Sequence, residues 1–246
     1  MAVGYNPRIV TDKLVFCVDV ANTKSYPGSG TSLYDLSGNN YDGTMSDVTI
    51  TSDGHMSFNG QNPGSAVAFS ESNISKDPSL YLGDSSGKLT YECWINKQGT
   101  NHNAGDARVM STDVSDYTAL VIAQAADNRI RFYADGNNTN LTAPIEYAIS
   151  NDTWYHIVAT YDSSITTDAV KIYRNGELIA STNYTFSGTY GDGTSRPLAI
   201  GSNTESAVAY NNGLNGYIDI CRIYGKPLSA DEVKQNFNAT RGRFGI

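Results

Sequence analysis

The stretch GYIDICRIYGKPLSADEVKQNFNATRGRFGI, from Gly216 to Ile246, decides the fold prediction. In its first part the apolar residues Ile218 and Ile220 alternate with Asp219 and Cys221. This period of two is typical of a half-buried strand. We therefore expect Ile218 and Ile220 on one face of the strand, and Asp219 and Cys221 on the other.

After this strand the sequence changes to the pattern of a short capped helix. Ser229 and Glu232 have the three-residue spacing of a capping box, and Val233 and Phe237 form an apolar stripe at helical spacing. These features predict one principal helix within residues 230–239.

Both ends of the chain resemble the same family. The ending is similar to the closing segment of laminin G-like jelly rolls of the concanavalin A-like lectin/glucanase superfamily, and especially to those in bacteriophage virion proteins. The opening segment LVFCVDVANTKSYPGSGTSLYDLSGNNYDGTM, from Leu14 to Met45, resembles the family's first strand and its corner. Between the ends, four segments fall where the family keeps core strands: LTYECWIN (89–96), WYHIVATYD (154–162), VKIYRNGELIAS (170–181) and PLAIGS (197–202).

The resemblance implies an all-β fold, which is an antiparallel two-sheet jelly-roll sandwich of concanavalin A-like type with one short C-terminal helix. Many short strands with turn-rich gaps agree with two packed sheets. We expect one domain over residues 1–246, because nothing in the middle of the chain looks like a linker. In such jelly rolls the first and last strands are neighbours, so residues 14–20 should lie beside residues 216–224.

The clearest hairpin prediction covers residues 170–181. Its two-residue loop, Asn175-Gly176, tolerates the positive φ that both central positions of a type I′ turn require. The turn sets the register of the two strands. The expected pairs are Arg174 with Glu177, Tyr173 with Leu178, and Ile172 with Ile179.

Charge and apolar patterning argue against several partners. The net charge is −8 and the 17 basic residues are scattered, whereas nucleic acid binding needs clustered Lys and Arg. No apolar run approaches the ~20 residues that span a bilayer, and the first residues do not resemble a signal peptide. We therefore expect no nucleic acid partner, no membrane insertion, and synthesis in the host cytoplasm without a signal peptide.

The cysteine spacing does not suggest a metal centre. Cys17, Cys93 and Cys221 each lie in a predicted strand, and the spacings typical of zinc sites are absent. We predict three buried thiols that act as small apolar residues.

The sequence does not predict catalysis. A glucanase of this superfamily would carry carboxylates two residues apart on one strand, where they share a face and flank the glycosidic bond. None of the six glutamates has a carboxylate two positions later. We therefore expect a protein that is not an enzyme, with glutamates that are solvated or associated with turns.

Calcium is the one cofactor that the sequence suggests. Lectins similar to this chain often bind it through loop carboxylates and amides, the oxygen ligands that calcium prefers. One candidate cluster comprises Asp35, Asn39, Asn40 and Asp42, and a second comprises Asp135, Asn137, Asn138 and Asn140. Asp and Asn also stabilise turns by bonding their own backbone, so a purely structural role is the alternative.

A glycan site needs an aromatic platform beside planar polar groups. Five tyrosines in or beside predicted loops are the candidates: Tyr117, Tyr133, Tyr184, Tyr190 and Tyr210. Trp94 and Trp154 are predicted to be core strand residues instead.

The resemblance implies a non-catalytic bacteriophage virion surface protein, either a capsid decoration or a fibre-associated module. Its partners would be other virion subunits and glycans of the host or of surfaces, and it would be a homo-oligomer or part of a larger assembly. The alternatives are a purely structural protein that cements the capsid without binding sugar and, less favoured, a glycoside hydrolase.

The last residues, 240–246, form a candidate docking tail. Arg241, Arg243 and Phe244 follow directly after the predicted helix. A neighbouring subunit could offer carboxylates to the arginines and a pocket to the ring. The alternative is a tail that folds back on its own sheet.

Overall fold

The protein is described by a computed structural model that covers residues 8–60, 66–69, 87–99, 107–112, 117–122, 130–135, 149–184, 198–206, 209–211 and 213–246. The strands, in chain order, are β1 (Leu14–Val18), β2 (Ser32–Leu33), β3 (Gly43–Ser46), β4 (Thr49–Ile50), β5 (Met56–Asn59), β6 (Ala66–Phe69), β7 (Lys88–Lys97), β8 (Ala107–Thr112), β9 (Tyr117–Ile122), β10 (Ile130–Asp135), β11 (Trp154–Asp162), β12 (Val170–Arg174), β13 (Glu177–Thr182), β14 (Ala199–Ile200), β15 (Asn203–Ser206), β16 (Ala209–Asn211) and β17 (Asn215–Tyr224).

Two antiparallel sheets make up the sandwich. Within the described residues, the larger sheet has eight strands in the order β13-β12-β11-β7-β17-β5-β4, with β1 also paired to β17. The smaller sheet has seven strands in the order β10-β9-β8-β14-β6-β3-β2, and β15 pairs with β16 separately. This is the predicted all-β jelly-roll sandwich.

The main core lies between the inner faces of the two sheets. Cys93 and Ile157 of the larger sheet belong to the same buried cluster as Val67 and Phe132 of the smaller one. Burial of such apolar surface is the dominant favourable term in folding. The three cysteines are buried and unbonded, which confirms their prediction as apolar thiols.

The first and last strands are neighbours. β1 pairs with β17 in antiparallel fashion, with Leu14 opposite Tyr224 and Val18 opposite Cys221. This pairing confirms the expected closure of the jelly roll.

The helix α1 (Ala230–Thr240) covers the outer face of the larger sheet. The Ser229 hydroxyl accepts the Glu232 N–H at 3.2 Å, and the Glu232 carboxylate accepts the Ser229 N–H at 2.9 Å. The capping box is therefore confirmed. A 3-10 helix, Arg241–Phe244, follows.

The Ser229→Ala variant tests this cap. It should lower the free energy of unfolding by about 1 kcal/mol, because the N–H of Glu232 loses its acceptor. Urea denaturation measures the change, and Ser229→Asp is the control because Asp retains an acceptor at the same place. An Ala variant as stable as the parent would contradict the role of the cap.

Helices in the described part of the chain are too short or too polar to cross a membrane.

The hairpin of β12 and β13 confirms the turn and corrects its register. Asn175 and Gly176 have φ of 52° and 79°, as a type I′ turn requires. Arg174 faces Glu177 and Tyr173 faces Leu178, as predicted, but a bulge places Ile172 opposite Ala180. The predicted pair of Ile172 with Ile179 is therefore wrong, since one extra residue shifts the register beyond the bulge.

A second bulge, in β17, corrects the predicted alternation of that strand. The register shifts between Asp219 and Cys221, and Ile220 has a φ of 43°. Ile218 and Cys221 both face the main core, whereas Ile220 packs on the outer face with α1. A positive φ is unusual for a β-branched residue and marks a strained position. The consequence is that Asp219 and Ile220 together face the outer side of the sheet.

Candidate functional site

A row of side chains crosses the outer face of the larger sheet beside the C-terminal tail. In the register, Asn96 of β7 is directly opposite Trp154 of β11 on one side and Tyr217 of β17 on the other. Tyr217 is in turn opposite Ser57 of β5. Residues directly opposite each other in antiparallel strands share a face, so these four side chains form one continuous surface.

Three rings of this surface form what we call the aromatic patch: His55, Trp154 and Tyr217. The ring centroids of His55 and Trp154 are 4.7 Å apart, and those of Trp154 and Tyr217 are 6.3 Å apart. All three residues are half-buried. Part of the apolar ring surface on this face of the sheet therefore remains open to solvent.

Neutral polar groups lie beside the rings. The Gln98 amide donates to the Asn96 Oδ1 atom at 2.7 Å. Asn96 is only 7% exposed, so the Gln98 amide, which bonds to it, is the more accessible of the two. Such planar amides beside rings can bind a ligand that carries both hydroxyl groups and apolar C–H faces.

His55 is held in place by Asp219. Its Nδ1 lies 2.7 Å from the Asp219 Oδ2 atom, and the Asp219 Oδ1 atom accepts the N–H of Ile220 at 2.9 Å. The bulge in β17 thus supplies both the carboxylate and one of its donors. When Asp219 is ionised its carboxylate only accepts, so Nδ1 of His55 is then the donor in this bond.

Arg243 of the tail forms a charged cluster with Asp19 and Asp219. Its guanidinium donates to Asp19 Oδ1 and to Asp219 Oδ2, both at 2.6 Å. Burial raises the pKa of Asp219, and the His55 hydrogen bond and the Arg243 charge oppose this rise without cancelling it. The tail is therefore joined electrostatically to the strands that carry the aromatic patch.

Phe244 packs on its own sheet. Its ring is stacked on Trp94, with centroids 3.9 Å apart and an interplanar angle of 12°, and it contacts Trp154 at 4.8 Å. Only 8% of Phe244 is exposed. The pocket for the Phe244 ring, which the docking hypothesis expects from a neighbouring subunit, is supplied here by Trp94 and Trp154 of the same chain.

The two tail arginines of the docking hypothesis differ in their surroundings. Arg243 pairs with Asp19 and Asp219 of its own chain. Arg241 is exposed, with its guanidinium 5.8 Å from the ring centre of Phe237. An assembly contact through the tail stays a prediction, and the structure favours the alternative of a tail folded on its own sheet.

Beneath α1 lies a fully buried charged network around Glu92. The Glu92 carboxylate accepts from Arg222 and from Asn236 at 2.5 and 2.6 Å, and lies 3.0 Å from His156 Nε2. Its side chain is not exposed at all. The prediction that the glutamates are solvated or associated with turns is wrong for Glu92, because strand β7 places it under the helix.

This network has the electrostatics of a structural anchor. Burial by itself would raise the pKa of Glu92, but Arg222, His156 and Asn236 together lower it to about 2. The neighbouring Tyr224 hydroxyl accepts from Asn236 at 2.9 Å and donates to the carbonyl of Val10. Because these groups are covered by α1, a substrate cannot reach Glu92 without displacement of the helix.

A surface cavity of about 330 Å³ lies beside Arg243. Its lining comprises Asp19, Ile220, Ala239, Thr240, Gly242 and Arg243. None of these lining residues offers an aromatic ring, so the cavity is less suited to a sugar than the aromatic patch is.

The candidate calcium residues of the first cluster build a corner of the chain. Asp35 accepts the N–H groups of Cys17 and Ser37 through Oδ1, and Asp42 accepts the N–H of Asp35. The Asn39 amide donates to the carbonyl of Val15. Among the residues that the structure describes, no three His, Cys, Asp or Glu side chains are placed to hold a metal ion. The donor set is thus engaged in the turn and fits the structural alternative better than a calcium site.

The other candidate calcium residues give less information. Asp135 ends β10, and Asn137, Asn138 and Asn140 lie outside the described residues, as does Tyr190. Asn40, which belongs to the first cluster, has a φ of 60°, a conformation that Asn tolerates in turns.

Of the five predicted tyrosines, the structure describes the side-chain surroundings of Tyr184 alone. Tyr117, Tyr133 and Tyr210 lie on β9, β10 and β16. Tyr184 is half-buried against the core, with its ring edge-on to Tyr161 at 5.7 Å. Their role in glycan binding stays a prediction.

The aromatic patch was missed by the sequence analysis. Trp94 is fully buried, as predicted, whereas Trp154 is only half-buried and packs against the cluster of Trp94 and Phe244 on the outer face of the sheet. One signal was the alternation of side chains along β17, which places Tyr217 on the same face as the polar Asp219. This alternation indicates that the Tyr217 ring faces outward. It does not indicate the partner rings, because His55 and Trp154 come from distant parts of the chain.

Comparisons with known proteins agree with the fold. The sequence model of a laminin G-type family, described as the concanavalin A-like lectin/glucanases superfamily, matches residues 83–234. No curated protein matches the chain.

Several solved structures share the architecture. Domain 4 of AbnA, an extracellular arabinanase from Geobacillus stearothermophilus solved with arabinotriose, has a TM-score of 0.62 at 20% identity, over 91% of this chain and 98% of that domain. Botulinum neurotoxin type C, whose cell entry depends on two ganglioside molecules, has a TM-score of 0.63 at 16% identity, over 94% of this chain and 52% of the toxin chain. Trypanosoma rangeli sialidase in complex with sialic acid has a TM-score of 0.61 at 12% identity, over 95% of this chain and 34% of the sialidase. Likenesses at this level of identity establish the fold alone.

Proposed function

Because the chain belongs to the concanavalin A-like lectin/glucanases superfamily, we propose that it is a non-catalytic carbohydrate-binding protein that uses the aromatic patch. The observation that carries the proposal is the half-exposed row of Trp154 and Tyr217 on either side of Asn96. Sugars present apolar C–H faces ringed by hydroxyls, and such faces stack on aromatic rings while amides bind the hydroxyls.

The similar structures support a carbohydrate ligand in general terms. The arabinanase domain was solved with arabinotriose, the sialidase with sialic acid, and the toxin depends on gangliosides. These ligands belong to those proteins. They support the proposal because each of these proteins, which share this sandwich over part or all of their length, is described with a sugar ligand.

The absence of catalysis is part of the proposal. A glycosidase needs one carboxylic acid that can donate a proton and a second carboxylate that is free to attack or to act as a base. Asp219, the carboxylate beside the patch, already accepts from Ile220 and Arg243 and is bonded to His55. Arg243 lies between Asp219 and Asp19, so the guanidinium occupies the place where a substrate would have to enter.

We place this activity on the surface of a bacteriophage virion, as a capsid decoration or a fibre-associated module. The support is the resemblance of both chain ends to virion proteins of this superfamily. The partners would be other virion subunits and glycans on the host or on surfaces, and synthesis would take place in the host cytoplasm. Immunogold labelling of purified particles tests this location, and unlabelled particles would contradict it.

The sugar-binding proposal predicts a large effect at Trp154. Replacement of Trp154 by Ala should weaken binding at least tenfold, a loss of about 1.4 kcal/mol, because a sugar loses its stacking surface. A glycan array identifies a bound sugar for the parent protein, and calorimetry with that sugar compares the variants.

Tyr34→Ala is the matched control, because Tyr34 is 41% exposed and follows β2 in the other sheet. It should bind as the parent does. Equal affinity of the Trp154 variant, or an array without any bound sugar, would contradict the proposal. Repeating the array with a chelator tests whether sugar binding requires calcium, and unchanged binding would show that it does not.

A further inference from the structure

The charges around the aromatic patch do not balance. Asp19 and Asp219 both face Arg243, which gives two carboxylates to one guanidinium. Asp219 is also bonded to His55, a ring of the patch. The charges of Asp19, Asp219 and Arg243 sum to −1, and the whole chain has a net charge of −8.

Arg243 cannot serve as a free cation for a ligand. One of its terminal nitrogens donates to Asp19 and the other to Asp219, each at 2.6 Å. A bidentate partner of an acidic sugar would have to displace at least one of these charge-assisted bonds. The guanidinium is therefore already neutralised by its own chain.

Lys97, which follows Asn96 in the sequence, also has its ammonium group engaged by acceptors of its own chain. Lys97 follows Asn96 on β7, but it is only 1% exposed, and its ammonium donates to the Gly99 carbonyl and to the Asn151 amide oxygen. Burial lowers its pKa. Among the described residues named here as neighbours of the rings, the other polar groups are neutral: the Asn96 and Gln98 amides and the Ser57 hydroxyl.

From these contacts we infer that the aromatic patch binds neutral sugars and discriminates against glycans that carry a carboxylate, such as sialylated or uronate-containing chains. This inference rests on the proposed function and specifies the ligand class of the same site. The rings and amides bind the uncharged part of a sugar, and the unbalanced carboxylates repel an added negative charge.

A glycan array of matched pairs tests the inference, with each neutral oligosaccharide printed beside its sialylated or uronate-capped form. The neutral member should bind at least threefold more tightly at low salt. In 1 M NaCl the difference should fall below twofold, because the Debye length shrinks to about 3 Å. A preference that persists in 1 M salt would mean steric exclusion and would overturn the electrostatic inference.

Asp19→Asn is the variant that tests the charge itself. The Asn side chain keeps an oxygen that can accept from Arg243, while the net charge of the cluster rises from −1 to 0. The variant should bind the neutral member unchanged and bind the acidic member at least twofold more tightly than the parent does. Unchanged discrimination would overturn the inference.

The outcomes separate the two proposals. Equal or preferred binding of acidic glycans that is lost in the Trp154→Ala variant would overturn the inference and leave sugar binding at the patch established. A lack of binding to every printed glycan would overturn the proposed function itself.

Discussion

Replacement of Glu92 by Gln is expected to lower the free energy of unfolding by about 3 kcal/mol. The side chain keeps nearly the same shape, but Arg222 is left as a buried charge without its partner, and breaking one side of a buried pair typically costs about 3–5 kcal/mol. Arg222 is only 3% exposed, so water cannot replace the lost carboxylate. Urea denaturation followed by tryptophan fluorescence measures the change.

The control is Glu177→Gln, which removes an exposed carboxylate that pairs with Lys234 of α1. Such surface pairs contribute between about 0 and 1 kcal/mol, so this variant should be close to the parent. A loss below 1 kcal/mol for Glu92→Gln would show that the network does not anchor the helix.

The pH dependence of the same variant provides a second readout. In the folded protein the pKa of Glu92 is lowered to about 2 from an ordinary value of 4.5. A lowered pKa adds stability that is present above the ordinary value and is lost as the pH falls through 4.5 towards 2. The parent should therefore lose more stability than Glu92→Gln over this window, and parallel curves would contradict the assigned ionisation.

Local features of the fold could be predicted because their signals lie within a few residues. Asn175-Gly176 specifies its turn by its own backbone preferences, and Ser229 with Glu232 specifies the start of α1. The pairing of β1 with β17 is long-range, and it could be predicted only from the family resemblance. The sequence itself carries no local signal for the partner of a strand 200 residues away.

The functional surface could not be predicted for the same reason. Glu92 is bonded to residues that are 64, 130 and 144 positions away, so its burial is decided by the whole topology. The bulge at Ile220 breaks the period of two from which the faces of β17 were assigned. The aromatic patch also depends on long-range pairing, because its rings, His55, Trp154 and Tyr217, come from three separate parts of the chain.

The Phe244→Ala variant should lower the free energy of unfolding by about 3 kcal/mol. A buried Phe that is truncated to Ala loses its transfer free energy and leaves a cavity, at a typical cost of about 3–5 kcal/mol in a core. We expect the lower end of this range because Phe244 lies near the chain end, where neighbours can relax. Since its ring contacts both Trp94 and Trp154, tryptophan fluorescence should change in the folded state as well.

Ile246→Ala is the matched control, because Ile246 is two residues away and 43% exposed, and it should alter stability by less than about 0.5 kcal/mol. If Phe244→Ala is as stable as the parent, the ring does not pack on Trp94 in solution and the docking hypothesis for the tail regains its premise. If the expected loss is observed, the ring is already committed to its own sheet. A contact of the tail with a neighbouring subunit would then use exposed residues such as Arg241 and Ile246, because Phe244 and Arg243 are already engaged with the outer face of the larger sheet.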